Sequence, residues 1–142
     1  VNYIIISRFK DQDIKRISHK IFHFLRTKVV NVKVKYIRPK FHTLKEWMNH
    51  PNHIYIARKG IVFINKKRFP SKSSIWANPF KINKKTTRKD VLMKYEKYIK
   101  VNISNNPEKY NLETLRGKVL GCWCHPAECH GDVLLKLLGE KV

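Results

Sequence analysis

The stretch Lys118-Val119-Leu120-Gly121-Cys122-Trp123-Cys124-His125-Pro126-Ala127-Glu128-Cys129-His130-Gly131-Asp132, running on into Val133-Leu134-Leu135-Lys136-Leu137-Leu138, decides the fold class. Lys118 to Trp123 is an apolar run of strand length, and Pro126 turns the chain. From Asp132 onward the spacing of Val133, Leu134, Leu137 and Leu138 predicts a helix whose apolar face packs on a sheet. A strand followed at once by such a helix is the repeating unit of α/β architecture.

The same stretch is chemically dense, with three thiols and two imidazoles inside nine residues. Thiolate and imidazole are the ligands zinc prefers, so Cys122, Cys124, Cys129 and His130 (or His125) form one candidate structural zinc site, although the two-residue spacers of common zinc folds are missing. A second reading places Cys129 and His130 just before a helix N-terminus. There the dipole lowers a thiol's pKa and free N–H groups attract anions, which suits a nucleophile or a phosphate pocket. A third reading makes Cys122 and Cys124 small core residues and Gly131-Asp132 a helix cap. All three cysteines fall within eight residues, which fits a reducing compartment or a metal and not a disulfide framework.

Working outward, Val91, Leu92, Tyr95, Tyr98 and Ile99 line one face of a helix that starts after Thr86-Thr87 and ends near Asn102. Ile54 to Ala57 and Ile61 to Ile64 are two short strands around Arg58-Lys59-Gly60, expected to pair as a hairpin. Asn65 to Lys85 is expected to be irregular, and a short helix starts at Thr43. Residues 1–38 give strand, helix, strand. The first strand is Asn2 to Phe9. A helix capped by Asp13 follows, with an Ile14, Ile17, Ile21, Phe22, Phe24, Leu25 face, and then an alternating strand from Val30 to Tyr36. The predicted class is α/β (α+β): a small sheet with helices packed on it, preceded by an N-terminal strand-helix-strand unit. The domain division is a basic extension over 1–46 and a small α/β domain over 47–142.

The 142 residues carry 31 Lys and Arg against 10 Asp and Glu, a net charge of +21. Residues 1–50 hold 12 basic and 3 acidic side chains, 51–100 hold 14 and 2, and 101–142 hold 5 of each. A field this unbalanced over a hundred residues repels itself until a polyanion neutralises it, and nucleic acid is the natural one. AT-rich codon usage would inflate Lys, Ile and Asn but would not deplete Asp and Glu. There is no apolar run long enough to span a membrane and no secretory signature, so an intracellular location without a membrane partner is expected.

Residues from about Trp47 to Val142 resemble an uncharacterised domain family found in phages, bacteria and large DNA viruses. The likeness is carried by Tyr55-Ile56-Ala57-Arg58, Trp76-Ala77-Asn78-Pro79-Phe80, Thr87-Arg88 and Gly121 to Asp132. Ala57 stands where that family usually has Gly. The resemblance implies that Arg58, Asn78, Arg88, Cys124, Cys129, His130 and Asp132 gather at one pocket at the strand ends of an α/β sheet, where a nucleotide-like ligand would bind. The strand-helix-strand opening of the chain is similar to that of the small-subunit ribosomal family called S-ten.

Charge and resemblance together give the expectation of an RNA-binding structural component of a ribonucleoprotein. The ribosome, including a mitochondrial small subunit, is the particle expected, with rRNA and neighbouring subunits as partners. The residues expected on RNA are Arg8, Lys15, Arg16, Lys33, Lys35, Arg38, Arg58, Arg68, Lys72, Lys81, Lys84, Lys85 and Arg88, with Tyr36, Phe41, Trp47, Phe69 and Trp76 as stacking aromatics or core. The alternative is an enzyme acting on nucleotides or nucleic acid. It would use Cys129 or His130 as nucleophile or base, Asp132 to orient it, and Arg58, Asn78 and Arg88 to hold phosphate or base. The balance leans away from an enzyme, and the expected cofactor is none or one structural zinc.

Overall fold

The computed structural model describes residues 11–16 and 26–142. The expected strand from Asn2 to Phe9, the helix face from Ile17 to Leu25 and the RNA-binding candidate Arg8 lie outside the described residues. Residues 11–16 are helical, which puts Asp13 within a turn of helix and not at its cap.

The fold is α+β, small sheets with helices packed on them. Its elements are β1 (Lys28–Asn31), α1 (Val34–Ile37), α2 (Leu44–Met48), β2 (His53–Tyr55), β3 (Val62–Ile64), β4 (Lys67–Phe69), α3 (Arg88–Asn105), a 3-10 turn (Leu112–Leu115), β5 (Val119–Cys122) and α4 (His130–Leu137). The main sheet is parallel with order β1-β5-β2, and β3 and β4 form a separate antiparallel hairpin.

Period-two alternation explains how the main sheet divides two cores. On one face Val29, Ile56, Leu120 and Cys122 pack with Tyr95 and Ile99 of α3 and Leu134 and Leu135 of α4. On the other face Val32, Tyr55 and Ala57 pack with Ile37, Leu44 and Trp47. Residues 28–46 thus contribute to the same cores as residues 47–142. No helix among the described residues is long and apolar enough to cross a membrane.

Several helix ends form where the sequence predicts. Thr43 caps α2, its hydroxyl accepting from the Glu46 N–H at 3.1 Å. Thr87 caps α3 through a reciprocal pair with Asp90: the Asp90 N–H donates to the Thr87 hydroxyl at 3.2 Å, and the Thr87 N–H donates to Asp90 Oδ2 at 2.8 Å. That hydrogen bonding holds the Asp90 carboxyl below the usual carboxylate range.

Three expectations are corrected. The strand expected from Val30 to Tyr36 ends at Asn31. There the side-chain amide donates to the carbonyls of Trp123 at 3.2 Å and His125 at 2.7 Å while its oxygen accepts from the Lys33 N–H at 3.0 Å. That turn sends Val34–Ile37 into α1. The segments around Arg58-Lys59-Gly60 do not pair with each other: β2 joins β5, and β3 pairs with β4 across Asn65 and Lys66. Both turn residues take left-handed φ values, 50° and 64°, matching the twist that two-residue hairpins require. Finally, α4 begins at His130 with Cys129 at its N-cap. Asp132, expected at the cap, is the third helical residue, and its carboxylate accepts from the Cys129 N–H at 2.9 Å.

Candidate functional site

Parallel strands place all their C-terminal ends on one edge, and in open α/β sheets ligands bind outside that edge. Here a cleft of about 640 Å³ lies beyond β2 and β5. Arg58 and Lys59 after β2, and Trp123 and Cys124 after β5, form one side. Arg88, Val91 and Leu92 from the first turn of α3 and Cys129 and His130 from the start of α4 form the other, and Asn78 and Phe80 of the Trp76–Phe80 motif close it.

The wall carrying Arg58 is fixed by a relay. The Trp123 indole N–H donates to the Tyr55 hydroxyl at 2.8 Å, and that hydroxyl donates to the Arg58 carbonyl at 2.7 Å. Burial raises the Tyr55 pKa, which keeps the hydroxyl a donor. Arg88 reaches across to donate to the Glu128 carbonyl at 2.9 Å, tying α3 to the turn before α4. Asn78 is oriented by accepting from the Phe80 N–H at 2.9 Å, which leaves its amide nitrogen free to donate. Trp76 anchors that motif in the core, where its carbonyl accepts from the buried Tyr95 hydroxyl at 2.7 Å.

Two side-chain nitrogens, Arg58 Nη1 and Asn102 Nδ2, are shielded from solvent and have no hydrogen-bond partner among the described residues, and only Arg58 lines the cleft. A buried donor left unsatisfied costs roughly 1–3 kcal/mol, and more when charged. Buried charges are ordinarily paired, so an exception of this kind calls for an explanation.

Arg58, Asn78 and Arg88 therefore share one cleft. The four nominated zinc ligands do not converge. Cys122 and Cys129 are buried with their sulfurs 3.5 Å apart, Cys124 is exposed, and His130 Nε2 lies 2.6 Å from the Ile56 carbonyl. Among the described residues no group of three or more His, Cys, Asp and Glu is arranged to hold a metal ion. The three residues nominated for catalysis are each engaged in holding the fold. Cys129 donates to Cys122, His130 is hydrogen-bonded to the end of β2, and Asp132 caps α4.

The thiol pair is electrostatically split. The Cys129 thiol and the backbone N–H groups of His125 and Cys124 stabilise the Cys122 thiolate, bringing that thiol down to about 7. Cys129, which donates the bond and is desolvated, is pushed strongly up. Access nonetheless decides reactivity. Iodoacetamide should label Cys124 in the native protein and reach Cys122 and Cys129 after denaturation, as read by peptide mass spectrometry. Native labelling of all three at one rate would contradict this packing.

His130 is held neutral, its pKa lowered by burial first and by the Arg58 charge, against the Ile56 hydrogen bond and Asp132, which raise it. His53, stacked on Trp47 with ring centroids 4.3 Å apart, is also lowered, mainly by burial. Both folded values lie below the unfolded one of about 6.5, so below that pH the unfolded chain takes up protons first and stability falls. The melting temperature should therefore drop between pH 7.5 and pH 5. The drop should be smaller in His130→Gln, whose amide can still donate to the Ile56 carbonyl; an equal drop in both proteins would refute the assignment.

Of the cations expected on RNA, Lys15, Arg16, Lys33, Lys35, Arg38, Arg68, Lys72, Lys81, Lys84 and Lys85 are exposed or half-exposed, and Lys81 also lines the cleft. Among the nominated stacking aromatics, Trp47 and Trp76 are core residues at 3% and 4% exposure, because each fills the space beneath a sheet face or loop. Tyr36 is exposed, with Lys35 Nζ 4.8 Å from its ring centroid. Phe41 and Phe69 are half-buried. Sequence reasoning passed over Lys59, Phe80 and Trp123 as cleft residues, although each adjoins or belongs to a motif it had singled out.

Residues 40–140 match the family profile of a domain of unknown function, DUF4326. The chain belongs to this family. All the cleft residues named above fall within the matched region, which begins before the boundary drawn at residue 47. No curated protein and no solved structure matches the chain.

Proposed function

We propose that this member of the DUF4326 family is an RNA-binding component of a ribonucleoprotein. The observation that carries the reading is the state of its cations. Among the described residues, the ion pairs involve Lys100, Arg116 and Lys136, whereas the cations from Arg26 to Lys97 have no carboxylate within 4.0 Å. Charges gathered on one stretch of chain and left without internal partners are matched by an external polyanion. The similarity of the first forty residues to the S-ten family makes the ribosome, including a mitochondrial small subunit, the particle to examine first. Binding is favoured over catalysis because Cys129, His130 and Asp132 are each engaged in holding α4 and β2 together.

The test is sedimentation of a cell lysate through sucrose. The protein should travel with ribonucleoprotein particles at low salt and leave them at high salt. A protein that stays at the top of the gradient at every salt concentration contradicts the proposal.

A further inference from the structure

The cleft itself is not explained by binding across an exposed basic surface. It is a concave site of about 640 Å³, within the size range of small-ligand pockets. Its charged groups are nearly all of one sign. Arg58, Lys59, Lys81 and Arg88 line it, against the single carboxylate of Glu128. Much of the remaining wall is apolar, with the rings of Phe80 and Trp123 and the side chains of Ile61 and Ile82. Cations and planar rings lining one cleft match a ligand with an anionic group and a flat, weakly polar one.

We propose that this cleft binds a phosphorylated nucleoside, with Arg58 and Arg88 taking the phosphate and Phe80 and Trp123 facing the base. The decisive residue is Arg58, which lines the cleft half-buried and whose Nη1 has no acceptor among the described residues, so its guanidinium is free to turn onto a ligand oxygen. A phosphate oxygen is the acceptor that a guanidinium fork fits best, and the Arg58 backbone is held in place for it by the Trp123–Tyr55 relay. The beginnings of α3 and α4 both border the cleft, and their first N–H groups and dipoles favour an anion there. The Asn78 amide nitrogen supplies a donor for a base edge or a ribose oxygen. The ligand is either a free mononucleotide or the phosphorylated end of an RNA strand, which present the same chemistry. The inference rests on the cleft and is separate from binding over the outer surface.

Isothermal titration with AMP, GMP, CMP and UMP tests it, with the corresponding nucleosides as phosphate-free controls. At least one monophosphate should bind in the micromolar range, and its nucleoside at least tenfold more weakly. Arg58→Met should weaken the monophosphate at least tenfold, and Arg58→Lys should recover part of the loss. If Arg58→Met does not fold, Arg88→Gln in the same titration should show a weakening of at least fivefold. Short RNAs with a 5′-phosphate or a 5′-hydroxyl separate the two sources: a phosphate-dependent gain identifies a strand end, and its absence identifies the free nucleotide. No monophosphate binding at millimolar concentration, or unchanged binding in the arginine variants, overturns the inference. RNA binding that persists in those variants would leave the function proposed above standing.

Discussion

Affinity for a single-stranded RNA is expected to fall about a thousandfold when monovalent salt rises from about 50 to about 200 mM. The slope of log affinity against log salt is roughly −0.7 per phosphate neutralised on a single strand, so about seven contacts give that loss. The cations available for them are exposed and distributed: Lys33 and Arg38 flank α1, Lys35 lies on it, and Lys72, Lys81, Lys84 and Lys85 lie on the segment between the β3–β4 hairpin and α3. Because they have no internal carboxylate partners, binding RNA breaks no ion pair, and the release of counterions reaches the measured affinity undiminished. Replacing Lys84 and Lys85 together by Gln should reduce the slope by about 1.4 and leave the melting temperature nearly unchanged, since surface charges of this kind contribute little to stability. Filter binding over a salt series measures the slope, and a thermal melt measures the stability. A flat salt dependence in the parent protein would remove the electrostatic basis of the proposed function.

Trp47→Ala should destabilise the fold by about 3–5 kcal/mol, the range for deleting a buried aromatic side chain, which is a large part of the total stability of a domain this size. The indole fills the core under the main sheet because residue 121 is glycine. A Cβ built there would lie 2.5 and 2.7 Å from two indole carbons and 2.6 Å from a Val32 methyl carbon. Gly121→Ala should therefore cost about 1–3 kcal/mol or more through overpacking. The two sites are coupled, so Gly121→Ala combined with Trp47→Leu should be more stable than the sum of the single losses implies. Urea denaturation of the parent, the two single variants and the double variant gives the coupling directly, and strict additivity would mean that the contact is not as close as described.

How far this fold is legible depends on whether a residue's role is written in its own chemistry. Thr43 and Thr87 are good caps wherever they occur before an apolar repeat, and both helices start where those residues place them. Leu120 and Leu134 announce themselves through periodicity. Asn31 does not, because its strand-ending role depends on carbonyls of Trp123 and His125 more than ninety residues away. Asn65-Lys66 lacks the glycine that usually marks a two-residue turn, which hides the true partner of β3. Cysteine is seldom read as a cap, so α4 starts two residues earlier than the sequence suggests. At the cleft, a run of motifs points to Arg58, Asn78 and Arg88. That Arg58 Nη1 is shielded from solvent without a partner among the described residues is a property of packing alone, and no sequence pattern encodes it.

The strand order also governs how the chain folds as it is made. β5, which follows β1 and β2 in the chain, lies between them, and each of them finds its parallel partner there. Until residue 122 has left the ribosome, the two earlier strands lack the strand that joins them, although most of the positive charge has already emerged. Strand pairing across so long a separation is slow, and unpaired edges invite aggregation in the interval. The electrically balanced C-terminal third thus acts as the closing wedge of the sheet, and the basic segments ahead of it must be kept soluble by their own mutual repulsion until it arrives.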